Sequence, residues 1–194
     1  MTETDDQDQA LMLSFQQKGD MAAFRALFSR HRDPLLAYLR RVSGHPDVAE
    51  DVSQQAWLRL VETAQRGSYR SSPGASFRTF LFTLARNYYV DKHVRAHQHS
   101  RTTALETRHE DSLPAVDPSP DMLAVVSQSS DALDLALREL PAEQRDVVAL
   151  WSLDIDIDTI ATIVQAPRDT VISRKKYALV KLRHALSRRG ILEP

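Results

Sequence analysis

The chain has 194 residues, enough for one ordinary domain or two small ones, and its 42% hydrophobic and 26% charged content belongs to the soluble globular class. Five glycines leave little turn chemistry for a β-barrel or sandwich, and no apolar run reaches the length of about 18 residues that a membrane span needs. Absence of cysteine excludes disulfides, thiol catalysis and cysteine-ligated zinc, and the acidic start Met1-Thr-Glu-Thr-Asp-Asp lacks the apolar stretch of a Sec-type signal peptide, so a cytoplasmic location is expected. A net charge of −1 conceals a segregation of signs. Arg168–Arg189 holds eight Lys/Arg against one acid, and Arg78–Arg101 holds five against Asp91, whereas Thr102–Asp131 holds six acids against Arg108. Two basic tracts around an acidic stretch suggest two contact surfaces for a polyanion.

In chain order, residues 1–97 read as helix throughout. Asp20 precedes Met21, Phe24, Leu27 and Phe28, which are spaced as one helical face. Asp33-Pro34 has the form of an N-cap and first-turn proline, opening a helix through Leu35, Leu36, Leu39 and Val42. After the turn Gly44-His45-Pro46-Asp47, Asp47 can cap a long helix whose inner face is Ala49, Val52, Ala56 and Leu60. Residues 66–76 are loop by composition, and helix returns from Phe77 to about His97.

Periodicity then fades. Pro114, Pro118 and Pro120 lie among acids, serines and threonines, so residues 98–130 read as a flexible acidic linker. Helix resumes by Asp131, and Pro141 sits well as the first residue of another helix carrying Val147, Val148, Leu150 and Trp151. Asp156 or Asp158 can start a short helix, Gln165-Ala166-Pro167 breaks it, and a last helix runs over about Arg168–Arg188. The expected architecture is all-α: two small helical domains, 1–97 and 131–194, joined by that linker.

A short helix, a three-residue turn and a long basic helix make a helix-turn-helix pattern. Such a turn aims the N-terminal end of the second helix into the major groove, where side chains reach base edges and flanking cations neutralise phosphates. The outward positions expected on that helix include Ser173, Arg174, Lys176 and Tyr177. In the first half, Asn87, Asp91 and Arg95 recur every four residues and so share one helical face, with Arg86, Lys92 and Arg101 around them. Amide and guanidinium groups can read exposed base edges while cations hold the backbone. Glu50 with Gln54, and Asp51 with Gln55, are i,i+4 pairs beside a core face, a polar surface suited to a partner with basic side chains.

Four stretches stand in order along the chain: Gly19-Asp20-Met-Ala-Ala-Phe24-Arg-Ala-Leu27-Phe28; Ala49-Glu50-Asp51-Val52-Ser-Gln54-Gln55-Ala-Trp57-Leu58-Arg59; Phe77-Arg-Thr-Phe80-Leu81-Phe-Thr-Leu-Ala85-Arg86-Asn87, continuing to Asp91; and Leu140-Pro141-Ala-Glu-Gln-Arg145 with Ile160-Ala161 and Thr170-Val171-Ile172-Ser173-Arg174. Together they resemble the extracytoplasmic-function (ECF) group of the sigma-70 family. The first resembles its opening helix, the second the helix that binds core polymerase, the third the helix that meets the −10 element, and the last set the −35 domain. The resemblance implies a non-enzymatic initiation factor whose partners are core RNA polymerase (clamp and flap), promoter DNA and an anti-sigma factor. It implies core binding through Glu50, Asp51, Gln54 and Gln55. It implies −10 contacts through Tyr69, Arg70, Arg86, Asn87, Asp91, Lys92 and Arg95, with the loop before the −10 helix forming a pocket for an extracted base. Tyr69 would be a stacking partner there, or else an anchor of the loop. It implies −35 contacts through Arg168, Thr170, Ser173, Arg174, Lys176 and Tyr177.

Departures from the family pattern bear on function. Phe80 replaces a tryptophan, and Gln55 stands where a glutamate is usual. Ser53 lies in the same patch, where a phosphate would restore negative charge. Asp154-Ile-Asp-Ile-Asp-Thr-Ile replaces a Gly-containing turn and a glutamate. Asp169 replaces a common glycine and Ile172 a common lysine, both at the base-reading end.

The pattern leaves rivals open: a stand-alone helix-turn-helix regulator, or an adaptor that binds polymerase but not DNA. No phosphate-cradling glycine loop, nucleophile elbow or pair of catalytic carboxylates suggests an enzyme or a cofactor. His93, His97 and His99 lack a carboxylate at ligand spacing, so no metal site is expected. Asp154-x-Asp156-x-Asp158 lacks the glycine and glutamate of a calcium loop, and its acids read better as caps.

Overall fold

A computed structural model of the chain describes residues 3–70, 76–95 and 132–191, and all regular structure among them is helical. The N-terminal lobe consists of α1 (Glu3–Lys18), α2 (Met21–Ser43), α3 (Pro46–Gln65) and α4 (Phe77–Tyr89). The C-terminal lobe consists of α5 (132–138), α6 (Ala142–Trp151), α7 (Ile157–Val164) and α8 (Arg168–Arg188). The expected linker and the residues Arg101, His97 and His99 lie outside the described residues.

Side-chain caps fix the starts of three helices, α2, α4 and α7. The Asp20 carboxylate accepts hydrogen bonds from the N–H groups of Ala22 (2.9 Å) and Ala23 (3.2 Å) and from the Ser14 hydroxyl (3.1 Å). The Ala23 N–H above all, then Ser14, holds its carboxyl below the usual carboxylate range. Asp156 does the same for α7, accepting from the N–H groups of Asp158 and Thr159 and from the Thr159 hydroxyl. Gly44, at φ +70°, closes α2 in the left-handed region that a side chain rarely adopts.

Three helix boundaries differ from the sequence expectation. Asp33-Pro34 opens no new helix, because α2 runs through Pro34 to Ser43. Proline removes one N–H from the ladder. That loss is offset because Leu27, Leu35, Tyr38, Leu39 and Val42 are all buried along α2, an alignment that only an unbroken helix keeps. Asp47 does not cap α3 either: Pro46 is the first helical residue after His45, and Asp47 sits inside the first turn, facing the positive end of the helix. Finally, α4 does not continue as α-helix toward residue 97 but passes after Tyr89 into a π-helical turn, Val90–Arg95.

Apolar side chains of the two lobes share one interior. Leu35, Tyr38, Leu39, Phe77, Leu81, Phe82 and Ala85 of the first lobe belong to the same buried cluster as Val147, Leu150, Ile160, Ile163 and Val171 of the second. Helix α6 lies between this core and a smaller one, where Val148 meets Ala136, Leu137 and Leu140 beside Ala178, Leu182 and Ala185 of α8. The contacts between lobes run from α4 to α7 and from α2 to α6.

Replacing Asp156 by alanine removes three hydrogen bonds at the start of α7 and is expected to cost about 1 kcal/mol at neutral pH. Burial pushes the Asp156 carboxyl up, but the Thr159 hydroxyl and the N–H groups of Thr159 and Asp158 outweigh it and hold the group below the usual range. The stabilisation is therefore complete above the unfolded value of about 3.9 and disappears as pH falls through the folded one. Urea midpoints of wild type and Asp156→Ala should differ at pH 7 and converge in strong acid.

Candidate nucleic-acid interface

The first site lies where α2, α4 and α6 meet. Arg86, expected to touch DNA, points its guanidinium at Asp146 of α6: Nε donates to Oδ2 at 2.5 Å. The other carboxylate oxygen, Oδ1, accepts from the phenol of Tyr38, which is fully buried. Burial first, and the Asp146 charge second, push the Tyr38 phenol well above its ordinary range, so it stays a donor. Side-chain exposures of 16% for Arg86 and 11% for Asp146 place the ion pair in low dielectric, where an unpaired charge is expensive.

Four arginines reinforce the junction by donating to the other lobe. Arg78 bonds the Leu153 carbonyl at 2.7 Å, Arg138 the Gly44 carbonyl at 2.7 Å, and Arg41 the Ser152 hydroxyl at 2.6 Å. Arg145 donates to Val42 at 3.1 Å and also to the carbonyls of Arg138 and Leu140. Part of the positive charge that suggests DNA binding is thus committed to joining the lobes.

The remaining −10 candidates are dispersed differently from the sequence expectation. Widening to i→i+5 hydrogen bonds over Val90–Arg95 breaks the four-residue stacking proposed for Asn87, Asp91 and Arg95, because four residues no longer complete a turn. Asn87 is half-buried on α4, Asp91 is exposed on the π-helical turn, and the Arg95 side chain lies outside the described set. Lys92 is exposed, bonds Asp51 of α3 at 3.0 Å and lies 5.4 Å from the Tyr88 ring centroid. Hydrogen bonds with Tyr88 and Asp51 raise its pKa, so it stays charged.

Tyr69 is an anchor in this arrangement and not a free stacking platform. The residue is 3% exposed, and its ring packs edge-on against Phe80 at 5.0 Å. The Gln16 carboxamide of α1 clamps its backbone, accepting from the Tyr69 N–H at 2.9 Å and donating to its carbonyl at 3.4 Å. Of the expected pair, Arg70 alone faces solvent, and its guanidinium folds back onto the carbonyls of Gly67 and Tyr69.

On α3, Glu50 and Gln54 are exposed and Asp51 and Gln55 half-buried, forming the polar strip expected for polymerase. Glu50 accepts from Arg40 of α2 at 3.4 Å. Beside the strip runs a feature that the sequence reading missed. A groove of about 550 Å³ between α2 and α3 is lined by Phe24, Phe28, Leu36, Trp57, Leu58 and Val61, with Ser53 and Gln54 among its polar atoms. The Trp57 ring meets those of Phe28 (4.9 Å) and Phe24 (6.0 Å) edge-on, and its buried indole N–H has no hydrogen-bond partner. Helical spacing of Phe24 and Phe28 was the available signal, but it reads equally as core.

In the C-terminal lobe, α7 and α8 are joined by residues 165–167, with Gln165 in the left-handed region at φ 53°. Val171, Ala178, Leu182 and Ala185 are buried, which turns Asp169, Ser173, Lys176 and Tyr177 outward. Arg168 is exposed and pairs with Asp158 at 2.9 Å, while Thr170 is half-buried. Arg174 departs from the outward position expected of it: its side chain is 22% exposed and bonds Glu143 of α6 at 2.5 Å. Lys175 likewise rests over the Trp151 ring at 3.8 Å.

Among the described residues no group of three or more His, Asp or Glu side chains is placed to hold a metal, and no helix is long and apolar enough to cross a membrane. The described residues thus form an all-helical protein with a polar and apolar strip on α3 and a basic terminal helix. Comparison with known proteins identifies its family. Residues 27–100 match the family described as Sigma-70 region 2. The chain is 30% identical over 178 residues to the ECF RNA polymerase sigma factor SigE of Mycolicibacterium smegmatis, covering 90% of this chain and 66%, just under two thirds, of that protein. It is 30% identical over 141 residues to the RNA polymerase sigma factor CarQ of Myxococcus xanthus, covering 70% of this chain and 75% of that protein. In fold it is similar to the sigma factor RpoE of Bartonella quintana, solved in complex with the anti-sigma factor NepR, with a TM-score of 0.64 and 22% identity over 84% of this chain and 96% of that one. The chain belongs to the ECF RNA polymerase sigma factors.

Tyr38→Phe removes one donor from a buried carboxylate and is expected to lower the unfolding free energy by roughly 1.5–3 kcal/mol. Asp146→Ala strands Arg86 as well and should cost more, roughly 3–5 kcal/mol. Urea titrations of both variants at neutral pH check the order.

Proposed function

We propose that this chain is a non-enzymatic initiation factor that mounts on core RNA polymerase and directs it to promoters carrying two separated elements. Membership of the sigma factors supplies the class. What carries the finer reading is the physical separation of two kinds of surface on one chain. The α3 strip of Glu50, Asp51, Gln54 and Gln55, with the adjoining aromatic groove, offers acidic and apolar contacts to the polymerase clamp. The α4 face and π-helical turn, with Arg70, Arg86, Asn87, Asp91, Lys92 and Arg95, serve the −10 element. We read α7, the 165–167 turn and α8 as a helix-turn-helix. In it Arg168, Thr170, Ser173, Arg174, Lys176 and Tyr177 serve the −35 element, near the polymerase flap.

The two surfaces act together. Each lobe alone binds DNA weakly, and mounting both on polymerase raises the effective concentration of the second reader once the first is seated. The lobe junction is expected to weaken DNA binding by the free chain, since Arg86 is held by Asp146. A partner that stabilises the joined lobes would keep the chain silent. The Bartonella relative was solved with an anti-sigma factor, and a partner of that kind suits this chain too. A cytoplasmic location follows from the proposed partner.

Run-off transcription with purified core polymerase tests the proposal: promoter-specific transcripts should appear only when the chain is added. Transcripts independent of the chain, or tight operator binding by the free protein, would favour a stand-alone regulator instead. Fluorescence anisotropy should show little promoter preference for the free chain and a clear one for the holoenzyme. Reversing Glu50 and Asp51 together to lysine is expected to weaken association with core polymerase at least roughly tenfold, measured by competition for labelled core.

A further inference from the structure

The base-reading end of α8 has an unusual chemical make-up once its committed groups are set aside. Arg174, the side chain best suited to bidentate contact with guanine, is turned onto Glu143. Lys175 lies on Trp151. Val171 is fully buried and fixes the rotation of the helix against α6 and α7. The first two turns then present Arg168, Asp169, Ile172 and Ser173 to solvent, followed by Lys176.

Ile172 is the one aliphatic side chain in this set, and it is 40% exposed. It lies one turn from Lys176 and from Arg168, whose pairing with Asp158 is a solvent-screened surface contact that yields readily, so both cations can meet phosphates beside a groove. A β-branched side chain in a helix keeps essentially one χ1 rotamer, so Ile172 is pre-organised and loses little entropy on contact. In the major groove one base offers an apolar partner: the C5-methyl group of thymine.

We propose that Ile172 is a specificity residue of the upstream element, packing against the methyl group of one thymine. The inference rests on the reading of α7 and α8 as a helix-turn-helix that serves that element. It also accounts for a surface that otherwise leaves a branched hydrocarbon among charges.

The test uses the full chain bound to core polymerase. A promoter is first selected from templates with a randomised upstream element. Each thymine of that element is then replaced singly by deoxyuridine, which keeps the hydrogen-bonding edge and removes only the methyl group. At one position the wild-type holoenzyme should lose about fourfold in run-off transcription, the factor that burial of one methyl group supports. Ile172→Ala should transcribe the thymine and uracil templates equally, and Ile172→Val should restore part of the difference. Indifference of the wild type to every uracil substitution overturns the proposal, as does Ile172→Ala retaining the same sensitive position. Failure to select any promoter would instead remove the initiation-factor reading, and this inference with it.

Discussion

A single buried carboxylate decides how this molecule is put together. Asp146 receives the Tyr38 phenol on one oxygen and the Arg86 guanidinium on the other, and these come from α2 and α4 of one lobe while the acid comes from α6 of the other. Taking a charge out of water is costly, and the cost is recovered only when every lone pair facing the interior finds a donor. The apolar side chains around it, Phe82 against Tyr38 and Val147 beside them in the core, bring the surfaces together without specifying their register. The carboxylate specifies it, because it is satisfied in one relative placement of the lobes. The arginines that reach across to carbonyls of Leu153, Gly44 and Val42 serve the same end by occupying acceptors left over at helix ends and turns.

On the function proposed above, that junction places assembly and recognition in competition for the same residues. The Arg86 guanidinium gives its Nε–H to Asp146 inside the junction and is only 16% exposed, so little of it is within reach of a nucleic acid while the lobes are joined. Lys92 is in a similar position, shared between Asp51 on the proposed polymerase strip and the turn proposed to face DNA. The two cases differ in strength. Arg86 sits in a nearly dry environment, whereas Lys92 and Asp51 are about half exposed, where solvent screens the attraction. A protein partner at α3 can therefore take Asp51 from Lys92 cheaply, while releasing Arg86 requires the lobes themselves to part.

How much of this was legible in the sequence depends on how local each feature is. Asp20 and Asp156 cap helices through atoms two and three residues away, so the sequence places both at helix starts, although it leaves Asp158 as an alternative to Asp156. The break at 165–167 and the buried stripe of Val171, Ala178, Leu182 and Ala185 follow from periodicity. Pro34 misled because its local preference for a first turn was overruled by a buried face extending on both sides of it. The π-helical turn after Tyr89 has no residue signature of its own, and it altered which of Asn87, Asp91 and Arg95 share a face. Asp146, Arg174 and Tyr69 were hidden for another reason. Their roles depend on Tyr38, Glu143 and Gln16, partners between 31 and 108 residues distant, and no spacing rule reaches that far.

The Gln16 clamp has a consequence for how the molecule can vary. A carboxamide that holds the N–H and C=O of residue 69 recognises a peptide unit, not a side chain. The docking point of the segment leaving α3 is thereby set from α1, independently of the residues beyond Arg70. Both hydrogen bonds rest on main-chain atoms, so they withstand any substitution at residue 69 that leaves the backbone in place, and the seat of this segment is insulated from drift in its own side chain.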